Sequence, residues 1–243
     1  MSLIYEERPS DSPYVELVTN GLTTGSSTTI RPAEVHWHMA IAKFRGGIMP
    51  VVTGPLTSSG VVTFMEGVEL LWIKFKLGTF LPRMPVRNLL DTEITLPQAG
   101  GQSFWLDSTA WQLPNYENAD TFVNRLVREG VLDFDPVIHA ALHAELPQTP
   151  ERTIRHRFKR ATGLTHIHIR QHERAQRAAS LLRQGHSILD TVFDTGYFDQ
   201  PHMTRALKQF VGYTPAQLAN EYKRSCEDSA SDHSEELILP TTA

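Results

Sequence analysis

Residues 187–215, SILDTVFDTGYFDQPHMTRALKQFVGYTP, predict a helix, a tight turn and a second helix. Gly196 supplies the turn, because a positive φ is accessible to glycine at little cost. Asp199 is a favoured N-cap residue for the second helix. That helix is expected to end at Gly212, ahead of Pro215. The stretch therefore has the outline of a helix-turn-helix unit.

The predicted second helix has one apolar and one polar face. Met203, Leu207 and Phe210 recur at helical spacing and are expected to face a core. The opposite face presents a polar and basic strip formed by Pro201, Thr204, Arg205 and Lys208. Such a strip is typical of a helix that enters a groove of DNA.

The same pattern occurs 49 residues upstream. The matched pairs are Ile154 and Met203, Phe158 and Leu207, Ala161 and Phe210, and Gly163 and Gly212. Thr149 is the expected N-cap of this earlier helix, with Pro150 at its first position. Its outward face is formed by Arg152, Arg155, His156 and Lys159. Two similar units are therefore predicted in tandem.

A long helix is predicted between the two units, and it is expected to end at Gly185. Its apolar seam consists of Ile167, Ala175, Ala178, Ala179, Leu181 and Leu182. We expect His166, His168 and His172 to lie on its solvated face. The helix would hold the two units at a fixed distance, which must be roughly 34 Å if they enter successive major grooves of DNA.

Charge is distributed unevenly along the chain. Residues 147–225 contain 13 Lys and Arg against 6 Asp and Glu, whereas the whole chain has a net charge of −4. A basic C-terminal segment on an acidic remainder is the charge pattern of a nucleic-acid-binding module joined to a domain of another kind. On charge alone, a solvated helical surface that happens to be basic explains the pattern equally well.

The N-terminal half has a different pattern. VELVT, VHWHMAIAKF, IMPVV, VVTFM and VELLWIKFKL, all within residues 14–77, are short β-branched and aromatic runs separated by turn residues. We therefore predict an α+β fold, with a β-rich barrel or sandwich followed by an all-α domain that contains two helix-turn-helix units joined by a long helix. The expected limits are residues 1–115 for a regulatory domain, 116–135 for a helical connection, 136–225 for a DNA-binding domain, and 226–243 for a disordered acidic tail.

Length and composition bound the class of protein. The chain has 243 residues, of which 40% are hydrophobic, and this is enough for two compact domains. No apolar run approaches the roughly 20 residues of a membrane span, and the N-terminus does not have the pattern of a signal peptide. A single cysteine, Cys226, fits a reducing compartment. We therefore expect a cytoplasmic protein with no membrane partner.

The C-terminal region resembles the DNA-binding domain of AraC/XylS-type bacterial transcription regulators, over about 100 residues from near Val131 to near Tyr222. The most specific part is G-Y-x-D-Q-x-H-x-T-R followed by F-x-G-Y-T-P, at residues 196–215. VVTGPL and LWIKFKLGTF are more weakly similar to sensor-type domains found ahead of such regions. The resemblance implies a transcription regulator that binds double-stranded DNA in two adjacent major grooves. It also makes a small-molecule effector, RNA polymerase and a second copy of the chain candidate partners, and it implies no catalytic activity, cofactor or metal.

The resemblance also implies which residues contact DNA. The base-contacting positions of the family fall on Arg152, Arg155, His156, Gln200, Pro201, Thr204 and Arg205. Arginine can pair with guanine and Gln200 with adenine, whereas Pro201 offers only apolar contact, such as to a thymine methyl group. Lys159 and Lys208 are better placed for phosphates, which set affinity rather than sequence preference.

The first unit departs from the family pattern at three positions. Gln148 stands where the family usually has a turn glycine, and Pro150 where it has a Ser or Thr cap. His143 replaces an apolar residue in the preceding helix. These departures keep open a second interpretation, in which the chain is a protein-interaction adaptor that has lost DNA binding.

The strongest alternative to a transcription regulator is a cupin-like metal-dependent enzyme with a helical appendage. His36 and His38 are two residues apart on a predicted strand, so both side chains would share a face. The glutamate of the cupin pattern is missing from the residues that follow, and ordinary packing is the preferred interpretation. The aromatic residues Trp37, Trp72, Phe75 and Phe80 either form a core or line an effector pocket.

Overall fold

The computed structural model of the chain describes residues 3–142 and 150–221, without the side chain of His139. The fold is α+β: a β-rich N-terminal region is followed by a helical C-terminal region. The chain divides into two compact units, and the boundary along the sequence falls between Ile169 and Arg170, within a helix. Because this division reflects compactness alone, the expected domain limits at residues 115, 135 and 225 stay a prediction. Thr149, His143, Gln148, Cys226 and the expected disordered tail lie outside the described residues.

Thirteen strands are present in the part of the chain that the structure describes. They are β1 (Leu3–Pro9), β2 (Val15–Thr23), β3 (Ser27–Arg31), β4 (His38–Phe44), β5 (Gly47–Thr53), β6 (Gly60–Phe64), β7 (Glu69–Phe75), β8 (Thr79–Phe80), β9 (Glu93–Thr95), β10 (Gln98–Gly100), β11 (Ser103–Leu106), β12 (Thr109–Gln112) and β13 (Asp133–Phe134). The main antiparallel sheet has the order β1-β2-β7-β4-β5-β9. Smaller sheets are β3-β6, β10-β11-β12 and β13-β8.

Strand alternation places one face of the main sheet in the core. Val18, Ile73, Met39 and Val52 stand side by side on four adjacent strands, and all four are completely buried. Successive side chains of a strand point to opposite faces, so the residues that flank these four along their strands lie on the second face. That second face lines a cavity.

The aromatic residues of this region have separate roles. Trp37 stacks on Phe75 with 3.9 Å between ring centroids, and its indole N–H donates to the Thr79 carbonyl at 2.7 Å. These two rings belong to the core. Trp72 lines the cavity instead.

The helices come mainly after residue 118. They are α1 (Ala119–Arg128), α2 (Pro136–Leu142), α3 (Glu151–Thr162), α4 (His166–Arg183), α5 (Ile188–Asp194) and α6 (Gln200–Phe210), and a 3-10 helix spans Val86–Asn88. Residues 215–221 are also helical. No helix within the described ranges is both long enough and apolar enough to cross a membrane.

Helix α4 differs from its prediction in its first turns. Ile167 is 69% exposed, whereas Ile169 is completely buried in the core that contains Phe158 and Leu164. The prediction for Ile167 was wrong because the first turn of α4 packs against this core through Ile169. The apolar seam farther along α4 does not decide which side of the first turn is buried. His172 was also expected in solvent, yet it is buried with its ring edge-on to Phe210.

Candidate nucleic-acid interface

The second unit consists of α5, a turn and α6. Ser187 caps α5 by accepting a hydrogen bond from the Asp190 backbone N–H. Gly196 has φ +67°, as the turn requires. Asp199 caps α6, since its carboxylate accepts from the His202 backbone N–H at 2.7 Å. The predicted turn and N-cap are confirmed.

The inner face of α6 is fixed by packing. Met203, Leu207 and Phe210 are buried, as their spacing predicted. The His202 ring meets Tyr197 edge-on at 5.1 Å, which gives this histidine a structural role within the unit. Because apolar residues fill one side of the helix, the opposite side faces outward.

The outward face of α6 carries the residues predicted to contact DNA. Gln200, Pro201, Arg205 and Lys208 are exposed. Thr204 is half-buried, and its hydroxyl donates to the Gln200 carbonyl at 2.9 Å. The Thr204 oxygen therefore keeps only its acceptor capacity for a base.

Helix α3 has the corresponding inner face. Phe158 and Ala161 are buried, Ile154 is half-buried, and the helix ends at Gly163 with φ +73°. The cap differs from the prediction, since Pro150 is itself the N-cap and no side chain bonds there. Proline has no N–H and an apolar ring, so it cannot make the capping hydrogen bond that Ser or Thr would make.

The outward face of α3 is basic and exposed. Arg152, Arg155, His156 and Lys159 all lie there, as the sequence predicted. Arg155 lies 3.6 Å from Glu151 in an ion pair whose side chains are 70% and 90% exposed. Such an exposed pair is weak, so it leaves Arg155 available to an anionic partner.

Sequence reasoning missed one residue that fixes this helix. Arg157 donates two hydrogen bonds to the buried carboxylate of Asp135, from Nε at 2.8 Å and from Nη2 at 2.7 Å. The hydrogen bonds to Asp135 raise the pKa of Arg157. The sequence did offer one signal, since Arg157 lies on the predicted core side of α3. A charged residue in such a position is usually paired with a buried carboxylate.

Comparison with known proteins gives the class of the C-terminal region. Residues 144–221 match the family model described as a helix-turn-helix domain. This region is a helix-turn-helix domain of the AraC type. The chain is accordingly a DNA-binding transcription regulator.

Two other comparisons add little to the AraC-type assignment. The structure of ToxT from Vibrio cholerae is similar at 10% sequence identity with a TM-score of 0.36, covering 91% of this chain and 99% of ToxT. That TM-score is too low to support any inference from ToxT to this chain. No curated protein matches the sequence.

Ahead of the AraC-type domain, the second face of the main sheet lines a cavity of about 390 Å³. Its apolar wall includes Leu3, Tyr5 and Trp72, and its polar part includes Arg31, His38 and Lys74. Several strands and the loop after β3 contribute to it, so the cavity is part of the β-rich architecture itself.

A charged network borders this cavity. The Glu34 carboxylate lies 2.6 Å from His36 Nδ1 and 3.1 Å from Lys74 Nζ, and Glu16 lies 2.9 Å from His36 Nε2. Burial would lower the pKa of His36, but hydrogen bonds to Glu16 and Glu34 outweigh it and raise that pKa. Burial would raise the pKa of Glu34, but its bond to His36 and the nearby cations hold it far below its usual range.

The histidines that suggested a metal site take part in this network. His36 precedes β4 instead of lying on it, and both of its ring nitrogens face carboxylates. Burial lowers the pKa of His38 to about 4. Among the residues that the structure describes, no group of three or more His, Cys, Asp or Glu could hold a metal ion.

Proposed function

We propose that this regulator reads specific DNA sequences with the outward faces of α3 and α6. The base-reading residues are Arg152, Arg155, His156, Gln200, Pro201, Thr204 and Arg205, and the phosphate-binding residues are Lys159 and Lys208. The observation that supports this assignment best is the division of each helix into a buried apolar face and an exposed face with these side chains.

The chemistry of the exposed side chains matches the edges of bases. Each arginine can pair bidentately with guanine O6 and N7, a contact worth about 1–3 kcal/mol of discrimination. Gln200 can donate to and accept from adenine in the same way. Since Gln200 and Arg205 lie on the better capped helix, α6 is expected to contribute more sequence preference than α3.

The cavity in the β-rich region makes the regulator responsive to an effector. Its lining includes Glu7 and Glu34 as well as Arg31 and Lys74, so the formal charges of the lining balance. Lys74 is already paired with Glu34, and His38 is neutral near pH 7 because its pKa is low. The best-matched ligand is a compact, uncharged molecule with an aromatic face for Trp72 and groups that form hydrogen bonds.

A DNA-binding regulator of this kind acts in the cytoplasm, where the bacterial chromosome lies. RNA polymerase and a second copy of the chain are the protein partners that it would meet on DNA.

Selection of bound sites from a random DNA library tests the DNA-reading part directly. The full chain is expected to enrich a bipartite site, and Arg155→Ala and Arg205→Ala are each expected to relax one half of it. Glu129→Gln, on an exposed residue outside the proposed interface, serves as the control. Failure to enrich any sequence would support the adaptor interpretation instead.

The effector part has its own test. A panel of uncharged heteroaromatic compounds is titrated against the wild type and Thr53→Phe, which adds volume to the cavity wall. A compound that raises the unfolding temperature of the wild type alone would support the cavity as the binding site. Equal shifts for both proteins would place binding elsewhere.

A further inference from the structure

Asp135 links the β-rich region to the helical region through its backbone. Its N–H donates to the Gly78 carbonyl at 2.8 Å, directly after β13 pairs with β8. A Cβ on Gly78 would lie 2.8 Å from the Asp135 carbonyl oxygen, so the two backbones are in close contact. The position of Asp135 is therefore set by the strand that begins at Thr79.

The side chain of Asp135 holds two helices. Oδ1 accepts from the Val137 N–H at 3.1 Å at the start of α2 and from Arg157 Nη2 at 2.7 Å, while Oδ2 accepts from Arg157 Nε at 2.8 Å. The Asp135 side chain is 1% exposed. A bidentate arginine–carboxylate pair is planar and directional, so it fixes orientation as well as distance.

Arg157 lies almost opposite the proposed DNA-reading face of α3. At roughly 100° per residue, it is about 160° around the helix from both Arg155 and Lys159. A rotation of α3 by about 20° would move a side-chain tip by roughly 2 Å. Hydrogen bonds to base edges tolerate much less than this displacement.

Two more contacts tie α3 to β8 and to the segment that follows it. The Arg160 guanidinium lies 5.0 Å from the centre of the Phe80 ring. At the end of the helix, a Cβ on Gly163 would lie 3.1 Å from the Arg87 Cα. Helix α3 therefore packs against the β-rich region along its inner side, and Asp135 supplies the most directional of these contacts.

We infer that Asp135 is a positioning residue for DNA reading, which sets the rotation of α3 through Arg157 and thereby aims Arg152, Arg155 and His156 at the bases. This inference rests on the proposed function. It assigns the β-rich region a direct role in the specificity of the first unit. A change at β8, such as one produced by an effector, would reach α3 through Asp135.

The test measures base preference with Asp135→Asn, which keeps the capping oxygen but loses the charge. Asp133→Asn is the matched control, since Asp133 is exposed two residues away. The variants bind the selected site and all of its single-base-pair substitutions, at a temperature where circular dichroism shows each protein folded. Arg155→Ala and Arg205→Ala identify the half-sites that α3 and α6 read.

Asp135→Asn is expected to reduce discrimination in the α3 half-site by about tenfold and to preserve it in the α6 half-site. The control is expected to behave as the wild type. Uniform weakening at every position, which a merely structural role would produce, would overturn the inference, and so would unchanged preference. If Asp135→Asn does not fold, Arg157→Lys is used in the same test, because lysine keeps the positive charge but cannot form the bidentate pair with Asp135.

The same measurements distinguish an error in the proposed function from an error in the positioning role of Asp135. If Arg205→Ala leaves the preference of every base pair unchanged, the proposed function of α6 is wrong. If Arg155→Ala and Arg205→Ala relax their half-sites while Asp135→Asn and Arg157→Lys do not, only the positioning role is wrong.

Discussion

The Nδ1 atom of His36 lies 2.6 Å from Oε1 of Glu34, and the same carboxylate oxygen accepts the His36 backbone N–H at 3.0 Å. On the other side of the ring, Oε2 of Glu16 lies 2.9 Å from His36 Nε2. The imidazole is thus held between two carboxylates at the border of the cavity. This arrangement makes the stability of the β-rich region depend on pH.

We predict that His36→Gln destabilises the protein most at acidic pH. The folded state raises the pKa of His36 above its ordinary value of 6.5. Its stabilising contribution is therefore fully present below about pH 6.5 and is lost as the pH rises through the folded pKa. Urea unfolding of wild type and variant at about pH 6 and about pH 9 measures the difference. His156→Gln, on an exposed helix face, is the control, and an equal loss at both pH values would contradict the prediction.

His38 is expected to have the opposite pH dependence. Burial lowers its pKa from 6.5 to about 4, so the unfolded state binds the proton more tightly. The folded protein therefore loses stability as the pH falls from about 6.5 towards 4, by about 3 kcal/mol. His38→Asn should flatten this part of the curve of unfolding free energy against pH. A variant curve parallel to that of the wild type would show that His38 does not titrate as proposed.

The strands and helices were predictable to different extents. Five strands follow from β-branched and aromatic runs between turn residues, and α3 and α6 follow from the helical spacing of their apolar residues. Strand β1 was missed because it lies at the sheet edge and exposes Glu6 and Glu7, so it has no apolar alternation. Strand β3 is rich in Ser and Thr and has the same difficulty.

The candidate site was predictable on its outer surface only. The spacing of Arg152, Arg155 and Arg205 places each on the exposed side of an amphipathic helix, and the structure has them there. The pair of Asp135 and Arg157 was not predictable, because 22 residues separate them and only tertiary packing brings them together. The His36 network depends on the same kind of long-range contact.

Gly163→Ala is predicted to destabilise the protein by about 2–4 kcal/mol. The residue has φ +73°, which costs a non-glycine residue about 1–2 kcal/mol, and its added Cβ would lie 3.1 Å from the Arg87 Cα. Gly130→Ala is the matched control, since Gly130 has φ +70° with no atom within 4 Å of an added Cβ. Denaturant unfolding should show a larger loss for Gly163→Ala. Equal losses would mean that the neighbouring segment yields without cost.

The most direct measurement of the central claim compares Arg205→Ala with Lys208→Ala on the selected DNA site and on its single-base-pair substitutions, across a range of salt concentrations. Arg205→Ala is expected to weaken specific binding by about 1–3 kcal/mol and to remove the preference at one base pair. Lys208→Ala is expected to weaken binding to all sequences alike and to reduce the salt slope by about one. If both variants bind every site as the wild type does, helix α6 does not read DNA and the account is wrong.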